Sequence, residues 1–209
     1  MRLYGTAPSH FTRKVRILLQ ELSVPFEFVL LDKLLETGPE KFANNPLHMF
    51  PVLEHEGKQL IESDLICQYL IERFGKGKEL STFLPSAENA VHDQQRLAIV
   101  NGGMSAGVTL VRAKRSGIEK WTDYAYFRQE LAAIDAAFAW IEKDLGDRDS
   151  YYPGRLTMLD IALMCLTEWA VFRDFLKDPS RFPNLTRFVR KHASRASFQS
   201  THPSIEVKR

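Results

Sequence analysis

Two neighbouring residues, Glu62 and Ser63, combine the groups needed to bind both ends of a small zwitterion. The stretch after them predicts a helix, with an apolar stripe at Ile66, Tyr69 and Leu70 and with Ser63 as its N-cap. The first turn of a helix leaves backbone N–H groups unpaired, and these donors, with the Ser63 hydroxyl, suit a ligand carboxylate. Glu62 suits a ligand ammonium group, so the pair predicts a site for a molecule that carries both charges.

A polar loop at residues 5–9 precedes another predicted helix, at residues 10–21. Ser9 is the last residue of this loop, where it either caps the helix or presents its hydroxyl to a ligand, and the pattern alone leaves both open. The helix has one apolar face. Its basic residues are expected to lie mostly on the other face: Arg13, Lys14 and Arg16.

The first 75 residues alternate between strand and helix patterns. Short strands are predicted at residues 3–4 and 26–31, and the helix between them implies a parallel pair with a right-handed crossover. A polar segment at residues 32–45, with a short helix near 39–43, leads to two strands around a turn at Gly57, which form an antiparallel hairpin. The predicted order is therefore β-α-β-α-β-β-α.

The remainder of the chain has helical patterns only. Residues 75–87 contain Gly, Lys, Ser and Pro without periodicity, which predicts a linker between two domains. Helices are predicted at residues 88–115 and 121–141. Gly102 and Gly103, inside the first of these, predict a bend or a close helix contact, since Gly costs about 1 kcal/mol in a helix.

A capping box is predicted at Thr157 and Asp160, in which each side chain bonds the backbone N–H of the other residue. The residues that follow, 161–171, are apolar nearly all round, so we expect this helix to be the buried centre of the helical domain. A last helix is predicted at about residues 185–194, and the tail beyond Phe198 is expected to be frayed or draped.

The composition is that of a globular chain with an ample core, with 44% hydrophobic and 26% charged residues. A formal net charge of +2 gives no electrostatic case for nucleic acid, and the basic run at residues 112–120 is interpreted as a solvated helix end. Neither a signal peptide nor a membrane span is expected. Cys67 and Cys165 are expected to be reduced core residues, which indicates a cytosolic setting without zinc or dithiol chemistry.

Four motifs, in their order and spacing, resemble those of the cytosolic glutathione S-transferase superfamily. They are Ser9-His10-Phe11-Thr12-Arg13-Lys14-Val15-Arg16, Asn45-Pro46-Leu47-His48-Met49-Phe50-Pro51-Val52-Leu53, Glu62-Ser63 and Thr157-Met158-Leu159-Asp160. The resemblance covers nearly the whole chain and implies the glutathione S-transferase fold. This fold has an α/β thioredoxin-like N-terminal domain (residues 1–77), a linker (78–87) and an all-α C-terminal domain (88–209). The resemblance also implies a cytoplasmic homodimer, with serine-type bacterial members the most similar.

The same resemblance implies a catalytic role for Ser9, whose hydroxyl would donate a hydrogen bond to the sulfur of glutathione. An ordinary thiol, with a pKa near ~8.5, is mostly protonated at neutral pH, and lowering that pKa by roughly two units is worth ~2.7 kcal/mol. The positive end of the following helix can supply part of this. Two alternatives stay open: Ser9 only caps the helix, or the hydroxyl comes from Thr6, Thr12 or Tyr4.

For the rest of glutathione, the resemblance implies that the backbone of Phe50, before a cis Pro51, contacts the cysteinyl part. It further implies that Glu62 and Ser63 hold the γ-glutamyl end. Met49 departs from the family pattern, because many relatives have Gln or Lys there to bond the peptide. The expectation is weaker glutathione binding, or a substitute contact from a nearby basic residue: Lys33, Lys41 or His48.

The second substrate is expected between the two domains, where the first helix should face the helix at residues 88–115. The candidate contacts are His10, Phe11, Met104, Ser105, Val108 and Thr109. This mixed, mainly apolar set predicts a hydrophobic electrophile.

We therefore predict a detoxifying glutathione transferase that conjugates the glutathione thiolate to hydrophobic electrophiles. Glutathione is the expected co-substrate, and no metal, nucleic acid or membrane partner is expected. Two alternatives remain: a glutathione-dependent isomerase, dehalogenase or peroxidase, and a non-catalytic interaction protein on the same fold. A thiol–disulfide oxidoreductase is disfavoured, because Ser9 and Thr12 stand where that chemistry needs Cys.

Overall fold

The structure is a computed structural model that describes residues 1–31, 38–84 and 87–205. Lys33, one of the candidate ligand contacts, and residues 85–86 of the predicted linker lie outside the described residues. The strands are β1 (Arg2–Gly5), β2 (Glu27–Leu30), β3 (Val52–His55) and β4 (Lys58–Ile61). The helices are α1 (His10–Glu21), α2 (Ser63–Phe74), α3 (Ala90–Arg115), α4 (Ala125–Leu145), α5 (Met158–Phe172), α6 (Pro183–His192) and α7 (Ala196–Ser200).

The four strands form one mixed sheet in the order β2-β1-β3-β4. β1 and β2 are parallel, as the intervening helix predicted, and β3 pairs antiparallel with both β1 and β4. The register places Val52 beside Tyr4 on one side and beside Ile61 on the other. β1 and β4 therefore run in the same direction and end at one edge of the sheet, and β3 begins at that edge.

The boundaries of several elements differ from the prediction by a few residues. α3 begins at Ala90, and α4 begins at Ala125 because Trp121–Asp123 is a 3-10 turn. The short helix expected near residues 39–43 is likewise a 3-10 turn, at Pro39–Phe42. α2 begins at Ser63 itself, with Glu62 as the N-cap, so the prediction of Ser63 as the N-cap was wrong by one residue.

α5 is the buried centre of the helical part, as predicted, with most of its residues buried. The capping box at its start is confirmed, since the Thr157 N–H donates to Asp160 Oδ2 at 2.8 Å and the Asp160 N–H donates to Thr157 Oγ1. The N–H of Tyr151 donates to the other Asp160 oxygen at 2.9 Å. Burial raises the pKa of Asp160 to about 6, although these hydrogen bonds act in the opposite direction.

A close contact between helices is made at Gly107 on α3, which the sequence analysis did not single out. A Cβ added there would lie 2.3 Å from Cζ3 of Trp169 on α5. A Cβ at Gly103 would meet Leu166 at an ordinary 3.4 Å, which is consistent with the predicted helix contact, whereas Gly102 has open space. Gly107 thus allows the indole of Trp169 to lie against the backbone of α3.

α1 is buried on nearly all sides, which corrects the expectation that its basic residues mostly face away from the core. Arg13 is 1% exposed and forms an ion pair with Glu168 of α5. Arg13 Nη2 also donates to the carbonyl of Phe198 at 3.0 Å, and Arg13 Nε donates to Oγ1 of Thr201 at 3.2 Å. The sequence pattern missed this burial because the covering groups come from the far end of the chain.

Lys14 is also fully buried and joins α1 to α2 and α3. Its ammonium forms an ion pair with Asp64 in the first turn of α2 and donates to Oδ1 of Asn101 on α3 at 3.2 Å. Asn101 Nδ2 donates to the second Asp64 oxygen at 2.6 Å. Arg16 is buried too, with its guanidinium 4.6 Å from the centre of the Phe28 ring. The start of α2 is therefore tied to α1.

Residues 196–201 pack on α1 rather than being frayed, and the last part of the tail, residues 206–209, lies outside the described residues. Phe198 of α7 is 1% exposed, and Thr201 is fully buried, with Oγ1 donating to the Ser197 carbonyl at 2.7 Å. Among the described helices, none is long and apolar enough to cross a membrane.

Candidate functional site

One edge of the sheet carries all the residues that the resemblance assigned to glutathione. Ser9 follows β1, Phe50 and Pro51 precede β3, and Glu62 and Ser63 follow β4. Because β1 and β4 are parallel and β3 runs back between them, the three segments leave from the same edge. The fold thus brings Ser9 to two segments that follow it by more than 40 residues in the sequence.

Ser9 is the N-cap of α1 and is 8% exposed. Its Oγ accepts a hydrogen bond from the Thr12 N–H at 3.2 Å, so the capping role left open by the sequence is present. This bond uses a lone pair of the hydroxyl, and the hydroxyl hydrogen can still be donated to a ligand. Capping the helix and binding a ligand are therefore compatible for this residue.

The other candidate hydroxyls differ in their access to a ligand. Thr6 lies in the wall of the same cavity as Ser9. Tyr4 donates to Glu54 Oε2 at 2.8 Å, and Thr12 is fully buried, with no partner for its Oγ1 among the described residues. Of these three side chains, Thr6 alone shares the cavity with Ser9.

The peptide bond between Phe50 and Pro51 is cis, as the resemblance implied. The preceding loop is braced by Asn45, which is 2% exposed. Asn45 Nδ2 donates to the Met49 carbonyl at 2.8 Å, and Asn45 Oδ1 accepts from the Leu47 N–H at 3.0 Å. The sequence analysis quoted Asn45 only as part of a motif, but its side chain holds the loop that presents Met49 and Phe50.

Glu62 and Ser63 lie at the start of α2, where Glu62 is exposed and Ser63 is buried. Glu62 has a φ of 68°, a left-handed conformation that non-glycine residues rarely adopt. Strained backbone of this kind is concentrated at ligand sites. The neighbouring Asp64 is held by Lys14, so this end of α2 is fixed relative to α1.

A cavity of about 420 Å³ adjoins the sheet edge beside Ser9. Its wall includes residues from the loops of the N-terminal part, from α1, from the end of α3 and from the end of α5. The lining residues are Thr6, Pro8, Ser9, His10, Phe11, Phe42, Leu47, His48, Met49, Phe50, Val108, Val111, Arg112, Arg115, Ser116, Trp169 and Arg173. Pro51, Glu62 and Ser63 are not in this wall.

Three of the six residues considered for the second substrate line this cavity: His10, Phe11 and Val108. Met104 is fully buried, and it contributes its carbonyl, which lies 3.2 Å from Nε2 of His10. Two more candidates are outside the wall: Ser105 and Thr109. Met104 is thus a core residue behind the cavity.

His10 forms an aromatic wall rather than a charged contact. Its ring packs on the indole of Trp169, with the ring centres 4.1 Å apart, and is 2% exposed. Burial lowers the pKa of His10 to about 3. The ring is therefore neutral near pH 7. Because the Met104 carbonyl can only accept a hydrogen bond, the ring hydrogen is assigned to Nε2.

The cavity is also lined by three arginines, which the sequence analysis did not assign to a ligand site: Arg112, Arg115 and Arg173. The run at residues 112–120 does include the exposed end of α3, but its first arginines also face this cavity, so its interpretation as a purely solvated end was incomplete. The i, i+3 spacing of Arg112 and Arg115 places them on one helix face and is the signal that was missed. No local pattern marks Arg173, because it joins them only through the packing of α5 on α3.

Among the described residues, this cavity wall contains neither a cysteine thiol nor a cluster of metal-binding side chains. Cys67 and Cys165 are free and fully buried, and burial raises the pKa of Cys165 to about 11 and also raises that of Cys67. Neither thiol lines the cavity. Within the described parts of the chain, no group of three or more His, Cys, Asp or Glu side chains is placed to hold a metal ion.

Comparison with known proteins identifies the family. The family model described as the N-terminal domain of glutathione S-transferase matches residues 3–79, and that for the C-terminal domain matches residues 109–191. The GST-like protein YibF of Escherichia coli (strain K12), itself uncharacterised, is 30% identical over 97% of this chain and 98% of its own length. The chain belongs to the cytosolic glutathione S-transferase superfamily. The resemblance of the four motifs is therefore confirmed.

Solved structures of glutathione S-transferases share the whole fold. That from Methylobacillus flagellatus KT, with GSH bound, has a TM-score of 0.82 and 25% identity, covering 97% of this chain and 98% of its own. That from Methylobacterium radiotolerans JCM 2831, in complex with glutathione sulfonate, has a TM-score of 0.80 and 28% identity, covering 97% and 94%. The predicted fold, a thioredoxin-like domain followed by helices, is confirmed.

Proposed function

We propose that this glutathione S-transferase binds glutathione along the sheet edge and transfers its thiolate to a second substrate in the adjoining cavity. The observation that carries the proposal is the strand topology, which collects a hydroxyl (Ser9), a loop backbone (Phe50) and a carboxylate (Glu62) at one edge. The solved relatives with GSH or glutathione sulfonate bound support glutathione as the co-substrate.

Ser9 is the proposed thiolate-stabilising residue. Its Oγ is fixed by the hydrogen bond from the Thr12 N–H, and its hydroxyl hydrogen donates to the glutathione sulfur. A hydrogen bond to a charged group contributes roughly 1.5–3 kcal/mol, which corresponds to a pKa decrease of about one to two units. The N-terminus of α1 adds a favourable potential for the thiolate. The thiolate fraction at neutral pH rises accordingly.

The γ-glutamyl end is proposed to lie at the start of α2. Exposed Glu62 receives the ammonium group, and the first backbone N–H groups of α2, with the Ser63 hydroxyl, receive the carboxylate. The Lys14–Asp64 ion pair ties this helix end to α1, which carries Ser9 at its start. The protein itself thereby sets the distance between the γ-glutamyl site and the sulfur site.

His48 is the proposed contact for the glycyl carboxylate. It lines the cavity next to Met49, which offers no charge, and its ring is stacked on Phe42 with the ring centres 5.5 Å apart. Lys41 is not part of the cavity wall. Because the Met49 side chain offers no polar group, this single imidazole contact predicts modest glutathione affinity.

The proposed reaction is conjugation to an electrophile whose apolar part contacts Phe11, Val108 and Trp169. The thiolate forms a C–S bond at the electrophilic carbon, and the leaving group departs with the electron pair of the bond that breaks. Proximity and thiolate activation supply the rate enhancement. We further propose a cytoplasmic homodimer, on the strength of the family membership.

Calorimetric titration with glutathione tests the binding step directly. Heat that saturates at or below millimolar glutathione is the expected result. A folded protein that gives no heat with millimolar glutathione would overturn the proposal in favour of a non-catalytic role.

The variant Ser9→Ala tests the assigned chemistry with 1-chloro-2,4-dinitrobenzene as the electrophile. Because the thiolate loses about 1.5–3 kcal/mol, kcat/KM at pH 6.5 should fall roughly 10- to 100-fold, and the pH profile of kcat/KM should shift upward by about one to two units. Ser105→Ala, an exposed serine outside the cavity, is the matched control and should retain the parent profile. An unshifted pH profile in Ser9→Ala would show that another group stabilises the thiolate, and Thr6 would be the next residue to test.

A further inference from the structure

One part of the cavity wall is basic. Arg112 and Arg115 come from the last turn of α3, and Arg173 is the C-cap residue of α5. α3 and α5 are held in direct contact by the close approach of Trp169 to Gly107. The three guanidinium groups therefore line the same cavity as Ser9, although they come from two helix ends.

The three arginines lack counterions within residues 1–31, 38–84 and 87–205. No carboxylate lies within ion-pair distance of any of them, and Arg173 Nε is buried without a hydrogen-bond partner. By contrast, several other arginines in the described chain form ion pairs with carboxylates. These pairs are Arg2–Glu27, Arg13–Glu168, Arg73–Glu56, Arg96–Asp144, Arg181–Asp135 and Arg195–Glu21.

The environment of Arg173 is unfavourable for a charge in the absence of an anion. Burial and the charge of Arg115 both lower the pKa of Arg173. Stacking over Phe172, at 4.9 Å from the ring centre, compensates only in part. A buried and unpaired charged group is costly, so an anion in the cavity would relieve a penalty that the protein already carries.

Helix stabilisation alone does not account for this cluster. Cations in the last turn of α3 interact favourably with the helix dipole, which explains the positions of Arg112 and Arg115. It does not explain why Arg173 is half-buried with an unpaired Nε against the same cavity. A guanidinium presents two parallel N–H donors that match the two oxygens of a carboxylate.

We propose that the second substrate of this enzyme carries a carboxylate, which is bound by Arg173 together with Arg112 and Arg115. The apolar body of this substrate lies against Phe11, Val108 and Trp169, with its electrophilic carbon directed to the thiolate. This inference rests on the proposed function and narrows its substrate class. It also revises the expectation, drawn from the sequence, of a purely hydrophobic electrophile.

A matched pair of electrophiles tests this assignment: 4-chloro-3,5-dinitrobenzoate and its methyl ester. In both, the glutathione thiolate forms a C–S bond, the C–Cl bond breaks, chloride leaves, and the thiol proton passes to solvent. The quantity measured is the ratio of kcat/KM for the benzoate to kcat/KM for the ester. Taking this ratio within each variant cancels changes that affect both substrates alike.

Arg173→Gln should lower this ratio at least about tenfold, and Arg112→Gln combined with Arg115→Gln should lower it further. Arg173→Lys, which keeps the charge but loses the planar fork, should give an intermediate value. The matched control is Arg190→Gln, since Arg190 is an exposed arginine in the last turn of α6, outside the cavity, and the ratio there should equal that of the parent. Added salt should lower the ratio in the parent more than in Arg173→Gln.

Two outcomes would overturn the proposal. An unchanged ratio in all the cavity variants would show that the arginines do not bind the substrate anion. A loss of glutathione affinity by calorimetry, with equal losses for benzoate and ester, would assign the cluster to the glycyl carboxylate of glutathione instead.

A separate measurement distinguishes this proposal from the proposed function. If the folded parent turns over neither electrophile, the transferase function fails, and binding of the unreactive 3,5-dinitrobenzoate and its methyl ester is measured by calorimetry. Binding of the benzoate alone that is lost in Arg173→Gln would uphold the carboxylate site without the reaction. Equal binding of both compounds, or of neither, would overturn it.

Discussion

The contact between Gly107 and Trp169 determines the shape of one wall of the cavity. The indole lies against α3 at a point where a Cβ would be 2.3 Å from its ring, and the same indole supports the ring of His10 at 4.1 Å. His10 in turn follows Ser9 in the chain. A side chain added at Gly107 would therefore displace the indole, and this displacement would pass through the His10 ring towards Ser9, the proposed thiolate-stabilising residue.

Gly107→Ala should raise KM for the electrophile and should not stabilise the protein. The gain in helix propensity, about 1 kcal/mol, is offset by overpacking against a rigid indole at about 1–3 kcal/mol. Urea unfolding and steady-state kinetics measure the two effects. The control is Gly102→Ala on the same helix, where open space predicts stabilisation of up to about 1 kcal/mol and unchanged kinetics. If the two variants behave alike, the indole contact is not what requires glycine.

At the scale of elements, the sequence patterns predicted those helices, strands and turns that depend on interactions between neighbouring residues. The nearly continuous apolar run of α5 and the Thr157–Asp160 capping box predicted that helix and its burial. The helix between the first two strands predicted the parallel pair, and the turn residues predicted the hairpin. What the patterns missed depends on distant partners. The burial of Arg13 follows from the packing of α5 and α7, that of Lys14 from α2 and α3, and the placement of Arg173 from α5, and no window of neighbouring residues contains these partners.

The Arg13–Glu168 pair is expected to hold α1 against α5 and α7. Arg13→Leu should lower the free energy of unfolding by about 3–5 kcal/mol, because it leaves a mostly buried carboxylate and two acceptors without their donor. A double-mutant cycle with Glu168→Gln measures the coupling, expected at about 1–3 kcal/mol.

The matched control for this cycle is Arg181→Leu with Asp135→Asn, a pair that is more than half exposed on both sides. Its coupling should stay below about 1 kcal/mol. A coupling at Arg13–Glu168 no larger than at the exposed pair would show that apolar packing, and not the ion pair, positions α1.

For the molecule as a whole, the two parts of the chain share one buried interior. α1 contacts α5 through Arg13 and α3 through Lys14 and His10, so largely buried charged and polar groups connect the two parts. We therefore expect a single cooperative unfolding transition. Global stability should then respond to the titration of groups at this junction.

His10 should make the protein lose stability in acid. Its folded pKa of about 3 lies below the ordinary value of 6.5, so the unfolded chain binds a proton first, and stability present above pH 6.5 is lost as the pH falls towards 3. Between pH 6.5 and 5 the loss is about 2 kcal/mol. The measurement is the free energy of unfolding in urea for the parent and for His10→Gln, which retains an N–H donor for the Met104 carbonyl but does not titrate.

The difference between these two proteins isolates His10 from other groups. Asp160, with its pKa raised to about 6, acts with the opposite sign and stabilises the folded state as the pH falls through that range. Its contribution is the same in the parent and in the variant. Parallel stability curves for the two proteins from pH 7 to 5 would show that His10 is protonated in the folded state.

The bonds from Arg13 to Phe198 and Thr201 join positions 185 and 188 residues apart. During synthesis on the ribosome, the emerging thioredoxin-like part exposes a guanidinium whose acceptors have not yet been translated. α1 can therefore reach its final packing only after the segment through Thr201 has left the exit tunnel. Shortened products that stop before Thr201 would present an incompletely sealed α1 to proteases and chaperones, so the cell could remove them selectively.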